Sequence, residues 1–325
     1  MIENGILNIN KPQGMTSHDV IYKVRRALGI KRVGHTGTLD PMATGVLPVC
    51  VGKTTRITEY LDLDFKTYRC TLLLGQITDT QDIWGTVLEE RPTDGVTENA
   101  IECALGKFNG LIEQKPPMYS AIKVNGKKLY EYARAGQEVE VKTRKIYIEN
   151  LTIENINLSE KKVTFLVKCS KGTYIRTICQ DVGMELGCGA TMASLVRTAS
   201  GRFVIEEAID LVKLQGMNLE EIQKIMLPTD FPLVHFGQVS VDTATAKKFI
   251  DGHHLSLDLC KIEREPEFKD TEPKIDIRPE YKKAYNVYQR GKAGNVFIGV
   301  AFYNEKYKKL VADKVLSRGE NIENI

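Results

Sequence analysis

A chain of 325 residues has room for one large domain and a smaller one, and with 42% hydrophobic and 27% charged residues it is composed like an ordinary globular protein, not a disordered or membrane-embedded one. Lys and Arg number 45 against 42 Asp and Glu, so a nucleic-acid partner has to be held by local basic patches and not by overall charge. Seven cysteines, an odd number without a C-x-x-C pair or nearby histidines, exclude a disulfide framework and structural zinc, and are expected to be buried, reduced thiols. Glu3, Asn4 and Asp19 interrupt the first twenty residues, and no apolar stretch reaches membrane-spanning length. A cytoplasmic location is the expectation.

In chain order, Ile6 to Ile9 is a short apolar strand that stops at the turn Lys11-Pro12-Gln13-Gly14. Ser17 is the expected N-cap of a helix whose Val20, Ile21, Val24, Ala27 and Leu28 share one apolar face. The other face is basic, with Lys23, Arg25 and Arg26 followed by Lys31 and Arg32, against the single acid Asp19. The glycine-rich run from Gly34 to Gly45 then reads as a loop feeding a strand from Val46 to Val51. Tyr68 to Leu74 and Thr86 to Leu88 are strand candidates flanking a polar turn with Asp79, Thr80 and Asp82, and are expected to pair as an antiparallel hairpin.

Residues 98 to 108 form a short predicted helix. The stretch 115 to 145 is the most basic of the chain, with eight Lys or Arg against three acids and Tyr119, Tyr130 and Tyr132 among them. Val163 to Cys169 alternates as a strand, and residues 173 to 186 read as a helix that buries Ile175, Ile178, Val182 and Leu186 and ends at Gly187. From about residue 230 the texture changes to short β-rich pieces, such as Val296 to Phe302, separated by charged stretches such as Glu263 to Pro279. The expected organisation is one domain over 1–231 and a smaller one over 232–325.

Few segments offer chemistry. Asp40 precedes a proline, which drives it toward extended backbone, and lies among glycines and small residues that let a substrate approach, although an aspartate in such a turn is ordinarily only a turn former. Gly52-Lys53-Thr54 imitates the end of a phosphate loop, but the position that needs its first glycine is Leu47, within an apolar strand. The carboxylates from Asp79 to Asp82 lack the ligand spacing of a calcium loop. His35 is a loop histidine suited to stacking or proton transfer, without the nucleophile a hydrolytic triad requires. Arg176, near the start of a helix, is solvated in the ordinary case; if buried, it must have an acid partner.

Together these segments resemble the tRNA pseudouridine synthase B family, TruB, over residues 5 to 232. The resemblance rests on Asn10-Lys11-Pro12-Gln13-Gly14-Met15-Thr16-Ser17, on the very specific run from Gly34-His35-Thr36-Gly37-Thr38-Leu39-Asp40-Pro41 to Pro48, on Lys66-Thr67-Tyr68, Thr78 to Asp82, Ser170 to Thr177, and Leu195-Val196-Arg197-Thr198. Lys115 to Lys123, continuing to Tyr130, is similar to the insertion of stand-alone bacterial members. The resemblance implies an α+β fold, a mixed and largely antiparallel sheet with flanking helices, plus a small C-terminal β-rich domain of the PUA type that binds RNA. The charged stretch from Lys261 to Lys283 departs from the family pattern.

It also implies the reaction: uridine 55 in the T-loop of tRNA is flipped out and isomerised to pseudouridine, with no cofactor and no metal. Asp40 is then the essential carboxylate, Arg176 its ion-pair partner, and Tyr68 the stacking residue beside C5 of the base. His35 would stack in the opened T-loop, Tyr174 and Leu195 would line the pocket, and Lys11 would support the catalytic loop or touch substrate. A monomer that needs no guide RNA, obligatory protein partner or membrane is expected, its RNA backbone contacts coming from the basic helix face and the insertion. Two rival readings stay open. One is a non-catalytic RNA-binding protein with Asp40 as a turn residue; the other is a glycosidase pairing Asp40 with Asp79 or Asp82.

Overall fold

The structure is a computed structural model describing residues 4–63, 65–267, 278–292 and 294–316. Eight elements position the site: strand β1 (Gly5–Lys11), helix α1 (Ser17–Leu28), strands β2 (Thr44–Val51), β3 (Lys66–Leu74), β4 (Arg144–Asn157) and β5 (Lys162–Cys169), helix α2 (Ile175–Glu185) and strand β6 (Ala190–Ser200). The sheet runs Ile209–Asp210, β1, β2, β6, β3, β5, β4, Gly110–Gln114. Only the β2–β6 and the β1 to Ile209–Asp210 pairings along it are parallel, so the fold is the expected mixed, largely antiparallel α+β sheet.

Residue alternation decides which face each helix covers. In β3, Tyr68, Cys70, Leu72 and Leu74 point to one side and pack against Ile175, Ile178, Cys179 and Val182 of α2. In β1 and β2, Leu7, Ile9, Leu47 and Val49 pack against Val20, Ile21, Val24 and Leu28 of α1. The register Ile9 to Leu47, Lys11 to Gly45, Gly45 to Arg197 and Arg197 to Tyr68 makes these the same face of the sheet. The two helices therefore cover different halves of one face, and the loop from 36 to 43 lies in the gap. Burying each such aliphatic side chain contributes roughly 1.5–3 kcal/mol, which makes the two helix contacts the frame of the gap.

The reverse face carries Ile6, Val46 and Cys50, packed with Tyr60, Phe236, Tyr281 and Leu316. This is where the C-terminal β domain attaches, a six-stranded sheet from Gly237–Val241 to Lys309–Val315 with its own core around Val239, Phe249, Val287 and Leu310. Tyr60 stacks edge-on against Phe236 and Tyr281, its hydroxyl donates to Asp313, and Lys314 pairs with Glu59 at 2.8 Å. Of the charged stretch from Lys261 to Lys283, Lys261–Arg264 is a strand and Pro279–Lys283 a 3-10 turn, while residues 268–277 lie outside the described ones.

Three sequence expectations are corrected. The N-cap of α1 is Thr16, whose side chain and that of Asp19 close a reciprocal capping box, and Ser17 is the first helical residue. The 86–88 segment does not pair with the Tyr68 strand: Val87–Glu90 pairs with Gln76–Thr78, while β3 is a central strand between β6 and β5. All seven cysteines are free, but Cys103 is exposed and Cys260 half-buried, so only five are core thiols. In the basic stretch, Asn125 and Gly126 both take positive φ, 50° and 84°, and turn a small hairpin between Lys123–Val124 and Lys127–Lys128.

Candidate active site

One row across the sheet builds the floor of the site. Lys11, Gly45, Arg197 and Tyr68 stand opposite one another on β1, β2, β6 and β3. Gly45 has to be glycine, with φ +102° and Arg197 O at 2.2 Å from where a Cβ would stand. Its missing side chain leaves space for the long cations on either side.

Over this row passes the loop with Asp40, fixed at several points. The Ser17 hydroxyl accepts from the Leu39 N–H at 2.9 Å and donates to the Leu39 carbonyl at 3.1 Å. The Gly14 N–H and the Lys11 ammonium both donate to the Pro41 carbonyl, at 2.9 and 3.4 Å. Leu39, Met42 and Ala43 are buried in the core under α2. Arg197 donates from Nε to Val46 O at 2.6 Å and from one Nη to Gly37 O at 3.2 Å, which ties the loop on both sides of Asp40.

From α2, Arg176 reaches Asp40. Its Nε lies 3.0 Å from Asp40 Oδ2, with the arginine side chain 5% exposed and the carboxylate 38% exposed. The two Nη groups donate at 2.9 Å to the carbonyls of Thr80 and Tyr119. A guanidinium that donates to two carbonyls and lies against a carboxylate has one orientation, so the carboxylate is held at the cleft mouth by a buried cation. The buried arginine thus has the acid partner its burial demanded. No hydrogen bond engages Asp40 Oδ1 among the described residues, which leaves that oxygen for chemistry.

The remaining candidates take distinct positions. Tyr68 is buried, and burial raises its phenol above the ordinary value, with the neighbouring Arg197 charge acting against that rise. Lys11 is fully buried, with its ammonium on the carbonyls of Pro12 and Pro41; burial lowers it to about 8, Asp40 opposes that shift and Arg197 adds to it. It therefore supports the loop from below and is not open to substrate. His35 ends the short strand Val33–His35, edge-on to His18 at 5.5 Å, and its Nδ1 accepts from the Gly37 N–H at 3.3 Å. Burial, and then the His18 and Arg197 charges, lower it to about 4, so the ring is neutral at neutral pH.

Tyr174 is the N-cap residue of α2, half-buried, its backbone N–H and C=O both held by the Gln114 amide at 2.8 and 3.0 Å. Leu195 is buried opposite Cys70, in the same core cluster as Tyr68, Leu39 and Met42. Asp79 and Asp82 are occupied elsewhere. Asp79 accepts from Thr86 N–H and the Tyr119 hydroxyl, and Asp82 from Trp84 N–H and Thr80, which removes the second carboxylate of a glycosidase pair. Among the described residues no cluster of three or more His, Cys, Asp or Glu is arranged to hold a metal ion.

Sequence reading missed Arg197, Ser17 and Gln114. Arg197 had one available signal: it lies two residues from Leu195 in a strand, and so on the same face.

A family profile described as "TruB family pseudouridylate synthase (N terminal domain)" matches residues 25–175, and one described as "tRNA pseudouridylate synthase B C-terminal domain" matches residues 176–234. A protein of Clostridium novyi (strain NT) named tRNA pseudouridine synthase B is 42% identical over 307 residues, 94% of this chain and 98% of its own length. The chain belongs to the TruB family. A second relative of that name, from Alkaliphilus oremlandii (strain OhILAs), is 49% identical over 252 residues, covering 78% of this chain and 83% of the relative. In fold, this TruB-family chain is similar to one in the crystal structure of a Cbf5-Nop10-Gar1 complex, with a TM-score of 0.69 at 24% identity over 97% of this chain and 85% of that one. Among the described residues no helix is long and apolar enough to cross a membrane.

Proposed function

We propose that this chain converts uridine 55 in the T-loop of tRNA to pseudouridine, with Asp40 as the essential carboxylate. The observation that carries the reading is the Asp40–Arg176 pair at 3.0 Å, a partly exposed carboxylate aimed by a buried, fully engaged guanidinium. The isomerisation breaks the bond from ribose C1′ to uracil N1, turns the base and rejoins it through C5. It is redox-neutral and can run on a carboxylate alone. The two routes, attack on the sugar and removal of a proton from it, both call on the oxygen of Asp40 that Arg176 leaves free.

The target base is stacked in the folded loop and has to be extruded at a cost of a few kcal/mol. Tyr68, on the cleft floor, stacks on the flipped uracil near C5, Tyr174 and Leu195 line the pocket, and neutral His35 fills the gap the base leaves in the T-loop. Backbone phosphates are held by the exposed face of α1, where Tyr22, Arg25, Arg26, Gly29, Ile30 and Lys31 line a shallow recess, and by the 115–145 insertion. In this reading residues 1–231 form the catalytic domain and 232–325 an accessory RNA-binding domain of the PUA type. The protein works as a cytoplasmic monomer without guide RNA, cofactor or metal.

The test is tritium release from a tRNA transcript carrying 5-tritiated uridine, because isomerisation expels the C5 hydrogen. The native chain is expected to release one equivalent and Asp40→Asn less than about a thousandth of the native rate, as befits loss of the reacting group. Binding of the transcript by both proteins without release by either would sink the synthase reading in favour of a non-catalytic RNA-binding protein.

A further inference from the structure

Arg197 is the largest of the fully buried side chains, 1% exposed, and among the described residues no carboxylate pairs with it. A buried guanidinium without an acid is costly, and its cost is offset here only by carbonyl acceptors and whatever else the site asks of it. Arg176, its counterpart on α2, spends its charge on Asp40. Arg197 has Lys11 two strands away in the same row, and each carries positive charge that no acid in the row cancels. The group directly across from Arg197 on the neighbouring strand is Tyr68.

We propose that Arg197 is a positioning residue for the reaction, clamping the catalytic loop at Gly37 and Val46 and setting which way the Tyr68 hydroxyl points its hydrogen. The second half follows from donor and acceptor counting. A guanidinium has only donors, so whatever Arg197 has left over from Val46 and Gly37 can meet the Tyr68 oxygen opposite only at a lone pair. The one phenolic hydrogen then turns away from Arg197. An unclamped Tyr68 would rotate that hydrogen among alternatives, and a site with one fixed donor direction needs no reorganisation when the base arrives. The positive charge beside the phenol also opposes the rise that burial imposes on it.

This inference rests on the synthase reading for its role for Tyr68, so the experiment has two arms. In the first, Arg197→Met and Arg197→Lys are compared with the native chain in single-turnover tritium release at saturating tRNA, with affinity measured alongside. Arg197→Met is expected to lose about a hundredfold in rate, the scale of removing one preorganised contact, with tRNA affinity within about threefold; Arg197→Lys, which keeps charge but cannot fork to two carbonyls, recovers part of the loss. A folded Arg197→Met with a native rate, or a lysine variant no better than methionine, overturns the proposal.

In the second arm, 3,5-difluorotyrosine at position 68 is titrated by fluorine NMR in the RNA-free protein. Its apparent pKa is expected to rise by about one unit or more in Arg197→Met and to stay near native in Arg197→Lys. A titration indifferent to both changes overturns the proposal even in a protein that turns out to release no tritium. If the methionine variant does not fold, the lysine variant decides the question, because loss of the charge effect and loss of the fork separate in its two readouts.

Discussion

The loop around Asp40 and the insertion from 115 to 145 are both surface connections, yet they are held in opposite ways. The first is sewn down by Ser17, Gly14, Lys11 and Arg197 and buries Leu39, Met42 and Ala43. The second exposes Lys123, Lys127 and Arg134, and its cations lie over its own tyrosines, Lys127 on Tyr132 and both Lys128 and Arg134 on Tyr130, at 5.3 to 5.9 Å. Chemistry at one atom needs a fixed geometry, which only buried contacts supply. Binding a phosphate backbone needs charge within reach of water and counterions, where a rigid pose gains little.

Breaking the link between the two regions has the largest expected effect. Arg176 is that link, for it holds Asp40 with one nitrogen and the insertion with another, through Tyr119 O. Arg176→Met is expected to lower single-turnover isomerisation by about a hundredfold to a thousandfold while leaving tRNA affinity within about threefold. Its thermal unfolding should report a loss of about 1–3 kcal/mol, because the Thr80 and Tyr119 carbonyls lose their donor. Arg176→Lys recovers little, since one ammonium cannot span all three acceptors. A methionine variant with native turnover would separate the ion pair from catalysis.

How much of this is legible in the sequence follows from how local each feature is. The Asp40 loop is one contiguous motif, so its glycines, its proline and its place before a strand can be read directly, and so can the demand that a buried Arg176 find an acid. Strand partners are not local. Alternation marks Tyr68 to Leu74 as a strand but carries no information on its neighbours, and proximity along the chain points to Val87–Glu90 when the true partners arrive as late as Lys162–Cys169 and Ala190–Ser200. Arg197 lies in a motif that supports the family resemblance, yet it gains no role there because charge in a strand reads as solvent-facing. Only the register row that sets it against Gly45 and Tyr68 reveals the burial. The Thr16 cap was within reach, since threonine three residues before an acid is the capping-box spacing.

Stripping the insertion's charge is the next sharpest comparison. Replacing Lys123, Lys127, Lys128 and Arg134 by glutamine is expected to weaken tRNA binding at physiological salt by about tenfold or more. Every phosphate that the insertion no longer neutralises should flatten the slope of log affinity against log salt by about 0.7 to 0.9. The single-turnover rate at saturating tRNA should stay within about twofold, because none of these side chains touches Asp40, Tyr68 or Arg176. An unchanged salt slope would remove the insertion from the electrostatic footprint.

The smallest expected effect tests whether the buried side of the comparison extends to His35. With its folded value near 4 and an ordinary value of 6.5, His35 takes up a proton in the unfolded chain before the folded one. Stability linked to this residue is therefore complete above about pH 6.5 and is lost as the pH falls toward about 4, where the folded ring finally titrates. The native chain should lose more unfolding free energy than His35→Gln between pH 7 and 4.5, and tRNA affinity should show no inflection from His35 between pH 6 and 8. NMR titration of the imidazole reads the value directly. A midpoint near 6.5 would mean that the ring is hydrated in solution, and a charged, mobile His35 would belong with the insertion's exposed cations instead of the buried side of the comparison.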